Sequence, residues 1–102
     1  MEVGVVLLVL VTYDVSTKDA AGRKRLRQVA KICCNSGVRV QNSVFECIVD
    51  QAQFLILKKE ISSIINPNED SIRYYRLGNQ YKTKVEHVGT KQSIQVEDPL
   101  IF

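Results

Sequence analysis

Asp14 is the residue of this chain most readily given a chemical role. It ends an almost unbroken apolar run, Val3 to Val11, that is extended by Thr12 and Tyr13. A strand end holds a side chain more rigidly than a free loop does, and a carboxylate that binds a ligand benefits from rigid placement. An aspartate after a strand is also a common turn or cap residue, so its position alone does not assign a function.

One carboxylate alone is a poor metal site. Mg²⁺ or Mn²⁺ accepts two carboxylates together with waters and phosphate oxygens. Such an ion would polarise a phosphodiester and lower the pKa of a bound water. In a twofold homodimer, a strand-end residue near the axis meets its own copy. Asp14 would then become a pair of carboxylates without a second acidic residue in the chain.

A basic cluster begins nine residues after Asp14. Residues 18 to 39 contain seven Lys or Arg side chains and one acid, Asp19, while the rest of the chain sums to −3 and the whole chain to +3. A local concentration of positive charge is typical of a surface that binds a polyanion, although it also occurs on ordinary solvated helices. The predicted nucleic-acid-binding residues are Arg23, Lys24, Arg25, Arg27 and Arg39.

Other catalytic groupings are poorly represented in the sequence. His87 is the single histidine and falls within a predicted strand, where a packing or surface role outweighs a role as base or ligand. The three cysteines are odd in number and lack the spacing of a zinc site, which predicts reduced thiols, with Cys47 in the core. No Ser-His-Asp grouping, phosphate-cradling glycine loop or helical metal motif occurs.

The composition bounds the class of protein. A chain of 102 residues with 45% apolar and 25% charged residues predicts one globular domain over residues 1–102. The nine-residue apolar run is shorter than the ~18 to 20 residues of a membrane helix. Glu2 takes the place of the positive start of a signal peptide. These features predict a cytoplasmic protein that does not associate with a membrane.

Hydrophobic spacing predicts the elements that position Asp14. The first strand is followed by a helix that starts near Ser16 and Asp19 and ends before Gly37. Its buried residues recur at i, i+3, i+4 and i+7, and they are Leu26, Val29, Ala30 and Cys33. The opposite side of this helix carries Arg23, Arg27 and Lys31 in steps of four, with Lys24 beside them.

The rest of the chain predicts two strands, a second helix and two further strands. The strands at 38–40 and 44–49 precede a helix whose start, Asp50 with Gln53, resembles a capping box. The buried stripe of that helix is Phe54, Leu57, Ile61, Ile64 and Ile65. A strand at 71–77 follows, then a fifth at 81–88, with the C-terminal strand and tail together spanning about 77–102.

This order of elements predicts a ferredoxin-like βαββαβ α+β sandwich with an extra C-terminal strand. Both helices then lie on one face of the sheet. The first strand is apolar at successive positions from Val5 to Val11, so both of its faces require burial, and no further helix is available for the second face. The sequence therefore predicts a homodimer that packs through the sheet faces opposite the helices.

Three segments resemble the CRISPR-associated protein two family, the small subunit of the spacer-acquisition (adaptation) machinery. They are Tyr13-Asp14, Arg23-x-Arg25 and the segment 39–46, Arg-Val-Gln-Asn-Ser-Val-Phe-Glu. The resemblance runs from about residue 5 to residue 75, and its most specific part is Gln-x-Ser-Val-Phe. The C-terminal segment, with Glu-His-Val-Gly at 86–89 and Asp-Pro-Leu-Ile at 98–101, is similar to one bacterial branch of the family.

The resemblance implies a ferredoxin-like homodimer in which Asp14 of each subunit binds Mg²⁺ or Mn²⁺. Carried over by position, Tyr13 and Ser43 accompany Asp14 in the catalytic site. The supporting residues near the site or the dimer interface would be Arg23, Arg25, Arg39 and Phe45. Family members are described as metal-dependent endonucleases on RNA or double-stranded DNA. They are also described as noncatalytic scaffolds between two dimers of the CRISPR integrase, CRISPR-associated protein one.

Three functions therefore remain open at this point. They are a scaffold that binds double-stranded nucleic acid, a Mg²⁺-dependent phosphodiesterase at Asp14, and a noncatalytic RNA-recognition-type module. Tyr74 and Tyr75 are adjacent and point to opposite faces, which disfavours the third. The basic surface is more abundantly encoded than the catalytic groups, which favours a scaffold with a latent nuclease activity. The tail, 99–102, is predicted to add a strand or an anchor to the partner subunit or the integrase.

Overall fold

A computed structural model of the protein describes residues 5–78 together with Glu86 and Val88. Its elements are β1 (Leu7–Asp14), α1 (Ala20–Cys34), β2 (Gly37–Gln41), β3 (Val44–Val49), α2 (Gln51–Ser62) and β4 (Ser71–Gly78). The order of elements is the predicted one. The predicted fifth strand and the tail lie outside the described residues, apart from Glu86 and Val88.

The four strands form one antiparallel sheet in the order β2-β3-β1-β4. β1 is central, so the strand that ends in Asp14 is hydrogen-bonded on both sides. Residues of both helices share one core cluster with β1 and β3, so both helices cover the same sheet face. Four antiparallel strands in this order, with two helices on one face, confirm the predicted ferredoxin-like fold.

Alternation along β1 separates the two faces of the sheet. Val9, Val11 and Tyr13 are at most 1% exposed and pack beneath the helices. Leu10 and Thr12 are half-buried, and they lie with Asp14 on the other face, which we call the open face. Each large apolar side chain that is fully buried contributes about 1.5–3 kcal/mol, so Val9 and Val11 hold β1 firmly against the helices.

β1 and α1 both start later in the chain than predicted. β1 begins at Leu7 because Leu7 faces Val49, the last residue of β3. α1 begins after Asp19, whose Oδ1 accepts a hydrogen bond from the backbone N of Gly22 at 2.8 Å. Ser16 lies in the preceding loop, which folds back on the helix: a Cβ at Gly22 would lie 1.8 Å from the Ser16 carbonyl oxygen.

The second helix and the cysteines agree with their predictions. Asp50 and Gln53 form a reciprocal capping box at the start of α2. The helix ends at Ser62, and the last two residues of its predicted stripe, Ile64 and Ile65, pack against the core from beyond that end. All three thiols are free, and Cys47 is buried in the core as predicted.

In the described part of the chain, neither helix has the length and apolar character needed to cross a membrane.

Candidate nucleic-acid-processing site

A groove of about 330 Å³ opens beside Asp14 where β1 ends. We call it the Asp14 groove, and its lining residues are Thr12, Tyr13, Asp14, Ser43, Val44, Ser71, Arg73 and Tyr75. They come from the end of β1, the β2–β3 turn and the start of β4. The antiparallel pairing of β1 with β3 and β4 brings these three segments together.

Asp14 is exposed and lies opposite Ser71 across the β1–β4 pair. Within residues 5–78, no ion pair holds its carboxylate, and no cluster of three or more His, Cys, Asp or Glu side chains occurs. Among these residues the carboxylate has no counter-charge. One subunit supplies the groove with a single acidic group.

Ser43 is brought to Asp14 as the sequence predicted. Its carbonyl accepts a hydrogen bond from the backbone N of Tyr13 at 2.9 Å, which fixes the β2–β3 turn against the end of β1. Its side chain is half-buried. Together with Thr12 and Ser71, Ser43 gives the groove three aliphatic hydroxyl groups beside one carboxylate.

Tyr13 does not have the position predicted for a catalytic group. Its side chain lies on the helix-covered face, opposite to that of Asp14, and is 1% exposed. Its hydroxyl donates to Asp70 Oδ2 at 2.5 Å. Burial, reinforced by the bond to Asp70, raises the pKa of Tyr13 to about 12. The Tyr13 hydroxyl therefore faces away from the Asp14 groove and is held by Asp70.

Arg25 also departs from its predicted role on the exposed surface. Its Nε and one terminal nitrogen donate to the two carboxylate oxygens of Asp70 at 2.8 and 3.1 Å, and Glu69 lies 3.5 Å away. The Arg25 side chain is only 15% exposed. Sequence spacing gave a signal that was missed: Arg25 lies four residues before the buried Val29, next to the apolar stripe, where a charge requires a partner.

Asp70 is the functional-site neighbour that the sequence did not indicate. Its side chain has no exposed surface and accepts from Tyr13, from Arg25 and from the backbone N of Asn66 at 2.9 Å. Burial alone would raise the pKa of Asp70, but the hydrogen bonds from Arg25 and Tyr13 outweigh it and hold that pKa below its usual value. We call Tyr13, Arg25 and Asp70 the anchor network. It joins β1 and α1 to the residue just before β4.

The remaining basic residues of α1 lie on its exposed side, as predicted. We call Arg23, Lys24, Arg27 and Lys31 the basic stripe, and all four are exposed. Arg23 donates to the Thr17 carbonyl oxygen at 3.0 Å, which leaves its charge uncancelled. Both ion pairs found in the described part of the chain belong to Arg25. Among the described residues, no carboxylate therefore neutralises the positive charge of the basic stripe.

Arg39 and Phe45 lie at the β2–β3 hairpin. Arg39 is exposed, its Nε donates to the Asn42 carbonyl at 2.7 Å, and its guanidinium carbon lies 5.7 Å from the centre of the Phe45 ring. Phe45 faces Val11 in the core and has no exposed surface. It therefore packs against β1 from beneath the helices, and its predicted role as a supporting residue of the site or the dimer interface stays a prediction.

Three residues of β4 complete the groove, although the sequence was not interpreted in that way. Ser71, Arg73 and Tyr75 alternate along β4 and share the open face with Thr12 and Asp14. The sequence did contain a signal for this. Side chains alternate between the two faces of a strand, so assigning Tyr74 to the core side places Arg73 and Tyr75 on the open face. Tyr74 does pack there, with its ring 5.7 Å from that of Phe54 in an edge-to-face arrangement.

The donor atoms of the groove fit a hard divalent cation in type but not in number. A carboxylate and hydroxyl groups suit Mg²⁺ or Mn²⁺, which prefer oxygen ligands. Zinc sites rely on thiolate or imidazole groups, and none lines this groove. One subunit provides one charged ligand, so a complete site requires a second carboxylate or phosphate oxygens from a substrate.

The fold and these motifs place the chain in a family. It belongs to the CRISPR associated protein Cas2 family, whose model matches residues 7–85. The resemblance seen in the sequence is therefore confirmed.

Relatives and solved structures agree with this assignment. The chain is 65% identical over 96 residues to the CRISPR-associated endonuclease Cas2 of Halalkalibacterium halodurans, which covers 94% of this chain and 100% of that protein. It is 52% identical over 95 residues to the CRISPR-associated endoribonuclease Cas2 3 of Rhodospirillum rubrum, with 93% and 100% covered. The crystal structure of Streptococcus pyogenes Cas2 at pH 6.5 superposes with a TM-score of 0.74 at 55% identity, covering 80% of this chain and 99% of that one.

Proposed function

We propose that this protein is a metal-dependent endonuclease that hydrolyses phosphodiester bonds of nucleic acid at Asp14, within the CRISPR spacer-acquisition machinery. The observation that carries the proposal is the exposed Asp14 carboxylate, unpaired within the described residues, in a groove at the end of a central strand. Relatives that are 65% and 52% identical bear the names endonuclease and endoribonuclease. We place the reaction in the cytoplasm.

The proposed active form is a homodimer that packs through the open faces of two sheets. The open face of each subunit presents half-buried Leu10 and Ile48 and the 44%-exposed Tyr75. A face of this kind is suited to pairing with its own copy about a twofold axis. Such pairing would supply the second Asp14 carboxylate that the groove of one subunit lacks.

In this proposal the two Asp14 carboxylates hold Mg²⁺ or Mn²⁺. The ion, when bound, polarises the phosphodiester and makes a water more acidic. The hydroxyl groups of Thr12, Ser43 and Ser71 orient the phosphate and water in the groove. The anchor network holds the end of β1, and with it Asp14, in place. This matters because the rate of such a reaction depends on precise placement of the reacting groups.

Nucleic acid is bound in this proposal through the basic stripe and Arg39. Lys and Arg side chains contact phosphates of double-stranded DNA or RNA and provide affinity without sequence preference. Arg25 is excluded because its guanidinium is committed to Asp70. Five contacts, from the four residues of the basic stripe and Arg39, predict a slope of log K against log salt of about −4.5 per subunit.

A second candidate function is that of a noncatalytic scaffold that holds DNA between two dimers of the CRISPR integrase. The observation that favours it is the imbalance between the two surfaces: four exposed cations line α1, whereas the groove has one carboxylate. An RNA-recognition-type module is disfavoured, because Tyr74 packs against Phe54 and leaves Tyr75 as the exposed member of the pair.

Asp14→Asn tests the proposal, with Glu60→Gln on the exposed surface of α2 as the matched control. Asn keeps the size of the side chain and removes the charge that holds a metal. We expect cleavage of a DNA duplex and of an RNA in Mg²⁺ to fall by at least about 10²-fold in Asp14→Asn, since the ion supplies several kcal/mol to the transition state. Glu60→Gln should cleave like the wild type.

The same variants separate the nuclease from the scaffold. Cleavage that persists in Asp14→Asn would contradict a nuclease centred on this residue. Integration of a DNA fragment by the integrase together with Asp14→Asn, at the wild-type rate, would show that the scaffold function needs no chemistry at Asp14. Sedimentation of both variants verifies that the oligomeric state is the same.

A further inference from the structure

Arg73 is the one positively charged residue among those that line the Asp14 groove. The lining contains one acid, one base, and otherwise neutral side chains, of which several are hydroxyl-bearing. A phosphodiester carries a negative charge, so the two charged residues have complementary tasks. Asp14 suits a cation, and Arg73 suits the phosphate.

The β1–β4 register determines the place of Arg73. It lies opposite Thr12 on the open face, two residues along β4 from Ser71, which faces Asp14. The side chain is exposed, and within residues 5–78 no carboxylate forms an ion pair with it. A terminal nitrogen of Arg73 lies 3.5 Å from the Tyr75 hydroxyl. This contact is long, and its acceptor is a neutral hydroxyl, so it does not cancel the charge of the guanidinium.

The other two arginines near β4 are engaged elsewhere. Arg25 is held by Asp70 beneath the helices. Arg76 lies on the helix-covered side, where its guanidinium carbon is 5.4 Å from the centre of the Phe54 ring and one terminal nitrogen donates to Gln51 Oε1 at 3.1 Å. Neither Arg25 nor Arg76 lines the groove.

We propose that Arg73 binds the non-bridging oxygens of the phosphate in the Asp14 groove and is a further catalytic residue of the hydrolysis. This inference rests on the proposed function and names the group that receives the substrate. A guanidinium presents parallel N–H donors that match two phosphate oxygens. Negative charge shared among those oxygens in the transition state is stabilised by a donor that is already in place.

The reaction served by this contact balances without a redox partner. The oxygen of water forms a bond to phosphorus, and the phosphorus–oxygen bond to the leaving sugar oxygen breaks. The attacking water releases one proton to the solvent, and the leaving oxygen keeps the electron pair of the broken bond and takes a proton from the solvent. The products are a phosphate monoester and a hydroxyl group.

Arg73→Ala and Arg73→Lys test the role in catalysis, with Arg76→Ala as the matched control on the same strand. In single-turnover cleavage of a DNA duplex with Mg²⁺, we expect Arg73→Ala to lose about 10²-fold in rate. Arg73→Lys should recover part of that loss, because it restores the positive charge without the pair of parallel N–H donors. Arg76→Ala should stay within about twofold of the wild type. Equal rates for Arg73→Ala and Arg76→Ala would overturn the catalytic role.

A binding measurement tests the phosphate contact without cleavage. In an Asp14→Asn background, adding Arg73→Ala should make the slope of log K against log salt shallower by about 0.9 on a DNA duplex, whereas adding Arg76→Ala should not change it. Identical slopes for the two double variants would overturn the contact. If Asp14→Asn itself cleaves like the wild type, the proposed nuclease centre fails, and the slope still decides whether Arg73 meets a phosphate. Thermal unfolding of each variant confirms that it is folded.

Discussion

Asp14 and Asp70 are carboxylates at the same end of the sheet with opposite environments. Asp14 is exposed and lies outside every ion pair found in the described part of the chain, whereas the Asp70 side chain has no exposed surface and three donor groups. Since Ser71 pairs with Asp14 and directly follows Asp70, the two acids are close along the same pair of strands. The two residues show that this fold buries one carboxylate and satisfies it with donors, while it leaves the other exposed at the groove.

Asp70→Asn, which removes the charge of the buried carboxylate, should have the largest effect on stability. It leaves the largely buried Arg25 with only the exposed Glu69, 3.5 Å away, as a counter-charge, and breaking a buried ion pair costs about 3–5 kcal/mol. Chemical denaturation should show that loss, while Asp14→Asn should unfold within about 0.5 kcal/mol of the wild type. Equal stability of the two variants would mean that the anchor network does not stabilise the fold.

The Tyr13 hydroxyl gives the anchor network a pH dependence at high pH. Folding raises the Tyr13 pKa from 10.0 to about 12, so the native state holds this proton more tightly than the unfolded chain does. Its contribution to stability is complete below pH 10 and declines as pH rises toward 12. Denaturation of wild type and Tyr13→Phe from pH 9 to about pH 12 should show a stability difference that shrinks over this interval. A constant difference would contradict the assignment.

The arginines of α1 differ in the same way as the two aspartates, since Arg25 is bonded to Asp70 whereas Arg23 and Arg27 are exposed. Replacing both Arg23 and Arg27 with Ala should make the salt dependence of DNA binding shallower by about two units and leave unfolding nearly unchanged. Arg25→Ala should instead destabilise the protein, because it removes the partner of the buried Asp70. If the double substitution left the salt slope intact, the basic stripe would be only a solvated helix surface.

Asp19 provides the smallest test, because its carboxylate has an intermediate role. It caps α1 through the backbone N of Gly22 and is exposed to solvent. Asp19→Ala should cost about 1 kcal/mol by thermal or chemical denaturation, as loss of an N-cap usually does. Cleavage should change little, because the cap lies outside the groove. A loss of cleavage as large as that of Asp14→Asn would show that the loop after β1 also shapes the site.

The fold was largely predictable because its signals are local. The capping box of Asp50 and Gln53 spans four residues, and the alternation of β1 is contained in one strand. Both patterns are visible without knowing what packs against them. The start of α1 was less predictable, because the contact of Gly22 with the Ser16 carbonyl replaces a helical turn with a folded loop.

The site was predicted only in part, since its geometry depends on distant pairings. Asp14 and Ser43 lie in two separate motifs, and the family resemblance rather than a local pattern suggested that both lie near one site. The role of Arg25 depends on Asp70, 45 residues away, and no local pattern reports that partner. Arg73 likewise lines the groove through the pairing of β4 with β1, two strands that are far apart in the chain, so the pattern within β4 gives its face but not its neighbours.

The long sequence separations in the anchor network have a consequence for folding kinetics. Its side-chain bonds join residues 57 and 45 positions apart, so they form only when β1, α1 and β4 are already assembled. Contacts absent from the folding transition state mainly control the unfolding rate. The contacts of Asp70 are thus expected to form after the folding transition state. Weakening them should shorten the lifetime of the native state and leave the rate of refolding almost unchanged.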